Sequence, residues 1–255
     1  MKKFFKVLFI SLFSLIIVSI VSFLIYANIY YKAADVDKYM TSDLYVEVTE
    51  TNDYIAFMPT VHGDDNVPAG YIFYPGAKVE EKAYSELMYE VAKNSGIFTV
   101  IVKMPLRFAF LDINKANKVM DAYKEKVNNW YIGGHSLGGA MATSYLEKNQ
   151  DKFQGFILLG AYTTADFSSN ENLWGMTIYG SSDYVLNRNS YAKAKNKMPK
   201  HNFEYVVEGG NHANFASYGE QKGDGEATIT KDRQIALTAL KMIEFIGAKQ
   251  LTLLI

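Results

Sequence analysis

The stretch Gly133-Gly134-His135-Ser136-Leu137-Gly138-Gly139 decides the fold. It contains Gly134-x-Ser136-x-Gly138, the pattern of a nucleophile elbow, in which a serine occupies a sharp turn from strand to helix. Side chains at Gly134 and Gly138 would crowd that turn, so glycine there lets strand and helix approach closely. The turn holds the Ser136 hydroxyl clear of the backbone. It also puts the Leu137 amide in the first turn of a helix, where it lacks an intrahelical partner and can face an oxyanion. Five residues alone are a weak signal, and the flanks supply the context. Trp130-Tyr131-Ile132 reads as a short buried strand, and Ala140–Lys148 reads as a helix.

Outward from the elbow the chain alternates. Leu44–Val48 and Tyr54–Met58 read as a leading pair of strands, followed by the turn-rich His62-Gly63-Asp64-Asp65-Asn66. Strands are then expected at Gly70–Tyr74, Phe98–Val102, Trp130–Ile132, Gly155–Leu159, Met176–Tyr179 and Phe203–Val207. Helices are expected at Glu80–Lys93, Ile113–Lys126, Leu137–Lys148, Asn187–Lys197 and Lys231–Ile246. This order predicts an α/β fold, a mostly parallel central sheet with helices on both faces. No internal repeat and no interior linker interrupts it, so residues 32–255 read as one domain.

Composition excludes several classes. The 255 residues are 49% hydrophobic and 21% charged, which is globular rather than disordered. A net charge of −1 offers no basic field for nucleic acid, and the absence of cysteine excludes disulfides, a thiol nucleophile and Cys-ligated zinc. No metal or organic cofactor is expected, and the Gly223-Asp224-Gly225 loop lacks the further carboxylates of a calcium loop.

Lys2, Lys3 and Lys6 precede a stretch from Val7 to Tyr31 without a charged residue. A transmembrane helix needs about 20 mostly apolar residues, so residues 7–31 are long enough to span. A cleaved signal peptide has a shorter apolar core and small residues at −3 and −1 of the cut. Ala27 after Ile25, or Ala34 after Lys32, fits that rule poorly. The reading is an uncleaved anchor, with a cleaved signal as its alternative. The lysines put residues 1–6 in the cytoplasm and the body outside, or secreted if the segment is cut.

In such a sheet reactive groups collect at the carboxyl ends of strands. Of four histidines, His135 lies inside the elbow with its side chain expected to point away from Ser136. His62 falls in a polar turn before the core strands, and His201 precedes a strand at the wrong end. His212, in Gly209-Gly210-Asn211-His212, follows the strand Phe203–Val207 at the right end and in the right order. Asp183 follows the strand Met176–Tyr179 across a short loop, and is preferred over Asp166 and Glu208 as the acid.

With the order Ser…Asp…His, the Gly-His-Ser-Leu-Gly elbow and the loops Tyr179-Gly180-Ser181-Ser182-Asp183 and Gly209-Gly210-Asn211-His212, the chain resembles the α/β-hydrolase superfamily. It is most similar to the small bacterial esterases and dienelactone-hydrolase-like members, from Gly70 to the C-terminus. The resemblance implies an eight-stranded-type sheet and a second oxyanion donor in the loop Pro75-Gly76-Ala77-Lys78, where Ala77 is the positional candidate. Tyr74-Pro75-Gly76 stands where a His-Gly would be expected. Dienelactone hydrolases proper use a cysteine nucleophile, which this chain lacks, so their substrate does not carry over. The implied activity is hydrolysis of a small-molecule or lipid-like carboxylic ester or thioester, by Ser136 as nucleophile, His212 as base, Asp183 as its orienting acid, and Leu137 and Ala77 as oxyanion donors. Alternatives are an acyltransferase using the same triad and a silent binding module of the cell envelope. The stretch Ala161–Gly175 is too short for a helical lid. Leu106–Leu111 is a candidate acyl-pocket lining with core packing as its rival, and Arg107 a candidate partner for a substrate carboxylate.

Overall fold

The computed structural model describes residues 2–62 and 67–253, so the expected turn at 63–66 lies outside the described residues. The body is built on an eight-stranded sheet: β1 (Val46–Glu50), β2 (Tyr54–Pro59), β3 (Gly70–Tyr74), β4 (Phe98–Val102), β5 (Trp130–His135), β6 (Phe153–Leu159), β7 (Trp174–Gly180) and β8 (His201–Val207). Its spatial order is β1-β2-β4-β3-β5-β6-β7-β8. The pairs β1–β2 and β2–β4 are antiparallel and all later pairs are parallel. β3 and β4 are buried along their whole length, the burial expected of parallel strands covered on both faces.

The helices are α1 (Lys2–Asn28), α2 (Ser85–Ser95), α3 (Lys115–Ala122), α4 (Leu137–Leu146), α5 (Arg188–Ala194) and α6 (Lys231–Thr252). Leu87, Met88 and Val91 of α2 join Ile235, Met242 and Phe245 of α6 in one core, on one face of the sheet. Ala116 and Val119 of α3 join Ala142, Tyr145 and Leu146 of α4 in a second core, on the other face.

Element boundaries moved for identifiable reasons. The expected helix at Glu80–Lys93 begins as a one-turn segment, Glu81–Tyr84, before α2 proper. The expected helix at Ile113–Lys126 is shorter because the Tyr74 hydroxyl intervenes at its start, donating to the Ile113 carbonyl and accepting from the Ala116 amide. β5 runs through Gly133 and Gly134 to His135 rather than stopping at Ile132. These glycines read as turn residues, yet they are strand positions where neighbours come too close for a side chain: a Cβ at Gly133 would lie 1.9 Å from the Ile157 carbonyl oxygen of β6, and one at Gly134 2.3 Å from the Tyr74 carbonyl oxygen of β3. β8 starts at His201, which is therefore the first strand residue, exposed, with its ring 5.5 Å from that of Trp174.

α1 stands away from the body for most of its length and is long and apolar enough to cross a membrane. Its last turn does not stand away. Ala27 is fully buried, and the Phe23 and Tyr26 rings lie 5.6 and 6.3 Å from Phe108. Beyond it the chain is woven into the body: Tyr31 donates its amide to the Lys78 carbonyl and accepts from the Glu80 amide. Tyr39 donates to Glu86, which also accepts from Ser217 and Lys231.

Candidate active site

β3 lies between β4 and β5, so the chain leaves β3 toward one side of the sheet and returns on the other. The strand order reverses there, and in such sheets sites form at the carboxyl ends beside the reversal. Ser136 occupies the tip of β5 at φ 53° and ψ −126°, a conformation that costs a non-glycine residue about 1–3 kcal/mol and is held by its surroundings. The turn is possible because α4 starts directly against the β3 loop: a Cβ at Gly138 would lie 2.2 Å from both the Tyr74 and Pro75 carbonyl oxygens. Leu137 is the first residue of α4. Among the described residues neither its amide nor that of Ala77 makes a hydrogen bond.

His212 and Asp183 are each 1% exposed, and His212 Nδ1 donates to Asp183 Oδ2 at 2.9 Å. The other oxygen, Asp183 Oδ1, accepts the amides of Val185 and Leu186 at 3.1 and 2.8 Å, which locks the carboxylate plane. With Nδ1 engaged in this way, His212 Nε2 is the ring atom left to act, and it has no hydrogen-bond partner among the described residues. Ser136, Leu137, Ala140, Tyr162, Leu186 and His212 line one cleft of ≈ 210 Å³. No hydrogen bond joins Ser136 to His212 here, as is common when no substrate tightens such a site.

The rivals fall elsewhere. Asp166 is exposed and spends its carboxylate on the amide and hydroxyl of Ser168. Glu208 is exposed at the end of β8. His62 lies in a one-turn segment, Thr60–His62, after β2.

His135 does not line the cleft with Ser136, yet it packs against His212. Its ring centroid is 4.3 Å from that of His212, a contact the elbow pattern did not announce. Tyr84 explains its role. The Tyr84 oxygen accepts from the Gly76 amide at 3.0 Å and lies 2.8 Å from His135 Nδ1. Its single proton has only that nitrogen as acceptor within reach, so Tyr84 donates to Nδ1 and the proton of His135 is on Nε2. Burial, reinforced by the charge His212 would carry, holds His135 well below the ordinary histidine range, so it stays a neutral spacer.

Three supports were not legible as such. Gly160, at φ +51°, leaves the space the pair needs, since a Cβ there would lie 2.8 Å from His212 Nδ1 and 2.9 Å from Asp183 Oδ2. Asp224, read only as part of an incomplete calcium loop, accepts the amides of Ala213 and Tyr184 at 2.8 and 3.3 Å, the residues directly after His212 and Asp183. Gln234 of α6, fully buried, brackets Asn211 through both its amide and its carbonyl. A polar residue in register with the apolar positions Ile235, Ala239 and Met242 of that helix was the available clue. Phe108 is buried against α1 rather than in an acyl pocket, and the Arg107 guanidinium stacks 3.4 Å from the Tyr30 ring centre.

An eight-stranded, mostly parallel sheet with a serine elbow after β5 and an Asp–His pair after β7 and β8 defines an α/β-hydrolase. A family model described as the alpha/beta hydrolase family matches residues 70–236, and the chain belongs to that family. Among solved structures it is similar to Est1E from Butyrivibrio proteoclasticus, with 14% identity and a TM-score of 0.56 over 80% of this chain and 98% of that one. Carboxyl esterase 2 from the fungus Tuber melanosporum gives 12% and 0.58 over 85% and 91%. Dienelactone hydrolase from Anabaena variabilis gives 13% and 0.53 over 80% and 96%. At these identities the likeness is one of fold. No curated protein matches the chain.

Proposed function

We propose that the chain is a membrane-anchored serine hydrolase that cleaves carboxylic ester or thioester bonds through Ser136, His212 and Asp183. What carries the reading is the convergence on one cleft of a serine held in an elbow and a histidine whose second nitrogen is already bound to a buried carboxylate. Esterase neighbours of the same fold support it.

In the first step His212 Nε2 takes the Ser136 hydroxyl proton as Oγ bonds to the substrate carbonyl carbon. Asp183 holds the imidazole tautomer and stabilises the imidazolium. The Leu137 and Ala77 amides receive the oxyanion, each worth about 10²–10³ in rate. Collapse expels the alcohol or thiol, which takes the proton from His212. Water, deprotonated by the same nitrogen, then releases the acid and restores Ser136. Residues 7–31 serve as the anchor, with 1–6 on the cytoplasmic side and the hydrolase domain, 32–255, outside.

A fluorophosphonate probe tests this. Wild type is expected to label covalently and Ser136→Ala not at all, with ester turnover reduced by roughly 10⁴ or more. A wild-type chain that is folded yet unlabelled would overturn the assignment.

A further inference from the structure

The loops that frame the site are the loops that grip the anchor. We infer that the mouth of the active site rests on the bilayer surface and that the enzyme draws its substrate, an acyl ester that is itself a bilayer component, directly from the membrane; this rests on the hydrolase and anchor readings above.

From Val7 to Tyr26, α1 rises about 30 Å at 1.5 Å per residue, the thickness of a hydrocarbon core, so Tyr26 stands where the helix leaves it. Tyr26 and Tyr30 are the interfacial aromatics such a boundary favours. The body meets α1 at that level. The Lys78 ammonium lies 3.6 Å from the Tyr26 ring centre and Arg107 stacks on Tyr30. Phe108 reaches one helical turn deeper, to Phe23. Leu106, Phe110 and Leu111, on the same loop, are 36%, 47% and 43% exposed, with Phe110 5.2 Å from Phe108. Exposed apolar side chains beside a membrane-spanning helix, flanked by two cations, match an interface of acyl chains and anionic headgroups.

This rim is joined to the cleft. Lys78 directly follows Ala77, and its amide donates to the Arg107 carbonyl at 3.0 Å. The turn Ala109–Leu111 packs on α4, whose residues Leu137 and Ala140 line the cleft. Among the described residues, five without a glycine's freedom hold positive φ. Ser136 is the elbow; Lys78, Leu106 and Arg107 form the junction with α1, and Asp35 follows it. Backbone strain therefore gathers where anchor and site meet.

The chain has no cysteine, so a single introduced thiol reports its own depth. Full-length Phe110→Cys and Lys200→Cys, each carrying an environment-sensitive dye, are reconstituted in phosphatidylethanolamine–phosphatidylglycerol vesicles. Lys200, exposed just before β8, lies at the opposite end of the sheet. Lipid bearing a nitroxide near the headgroup is expected to quench the label at 110 and spare that at 200. Equal exposure of both labels to aqueous quencher overturns the placement. Monoolein in the same vesicles and soluble p-nitrophenyl acetate then separate the claims. The paired change Phe110→Asp and Leu111→Asp is expected to lower the ratio of monoolein to acetate turnover by about tenfold or more. An unchanged ratio, or acetate turnover with intact monoolein in wild type, sinks the membrane-substrate inference and leaves the hydrolase reading standing. Failure of wild type on both esters together with no fluorophosphonate labelling sinks both.

Discussion

At the scale of single residues, the most sensitive position is one whose contribution is an absent atom. Gly160 sits at positive φ with the His212–Asp183 pair packed over it. Gly160→Ala is expected to push the imidazole aside and to lower ester turnover by about 100-fold, the usual scale for ångström-sized misplacement of a catalytic group. A wild-type rate in a folded Gly160→Ala protein would show that the pair tolerates displacement. That Ser136, His212 and Asp183 gather at one end of the sheet was legible because the rule that chemistry collects at strand carboxyl ends sorts residues by chain order. Gly160 was not legible, because sequence records what a side chain is and not what its presence would strike. The contact of His135 with His212 was not legible for a related reason: strand alternation predicts which face a residue starts from, and not where an imidazole at the strand's end comes to rest.

Elements meet at the site through loops, and two loops depend on a third. Asp224 binds the amides that follow Asp183 and His212, so one carboxylate keeps the acid loop and the histidine loop in register. As a positioning residue it is expected to act on kcat more than on KM. Asp224→Ala should lower kcat about 10- to 100-fold, and Asp224→Asn, which keeps a carbonyl acceptor, should recover part of it. A loss confined to KM would place Asp224 in substrate binding instead. The strands were readable as apolar runs, and β3 and β4 begin and end where those runs do. Helix starts were harder. At α2 and α3 the chain enters through one-turn segments or through a hydrogen bond from Tyr74, a partner distant in sequence that no local pattern contains.

On the scale of the whole molecule, stability couples to pH through His135. Its folded pKa lies below the value of 6.5 that it has in an unfolded chain, because burial excludes the charged ring. Below pH 6.5 the unfolded state therefore binds more protons, so this contribution is complete above 6.5 and declines as pH falls through it. Carboxylates such as Asp53, held low by Lys115 and Lys118, lose their share only near and below about pH 4. Denaturation midpoints of the full chain in detergent should fall between pH 7 and 5.5, and His135→Asn should flatten that slope. An equal slope in the variant would assign the acid sensitivity to another group.

The strand order also leaves the sheet open, with β1 and β8 as its outer margins. β1 presents Glu47, Thr49 and Glu50 to water, and the first residues of β8 include exposed His201, Asn202 and Glu204 around Phe203. Charged, short margins of this kind discourage strand addition by a neighbouring copy. Held in the plane of a membrane by the proposed anchor, copies of the chain would thus remain dispersed there without β-mediated clustering.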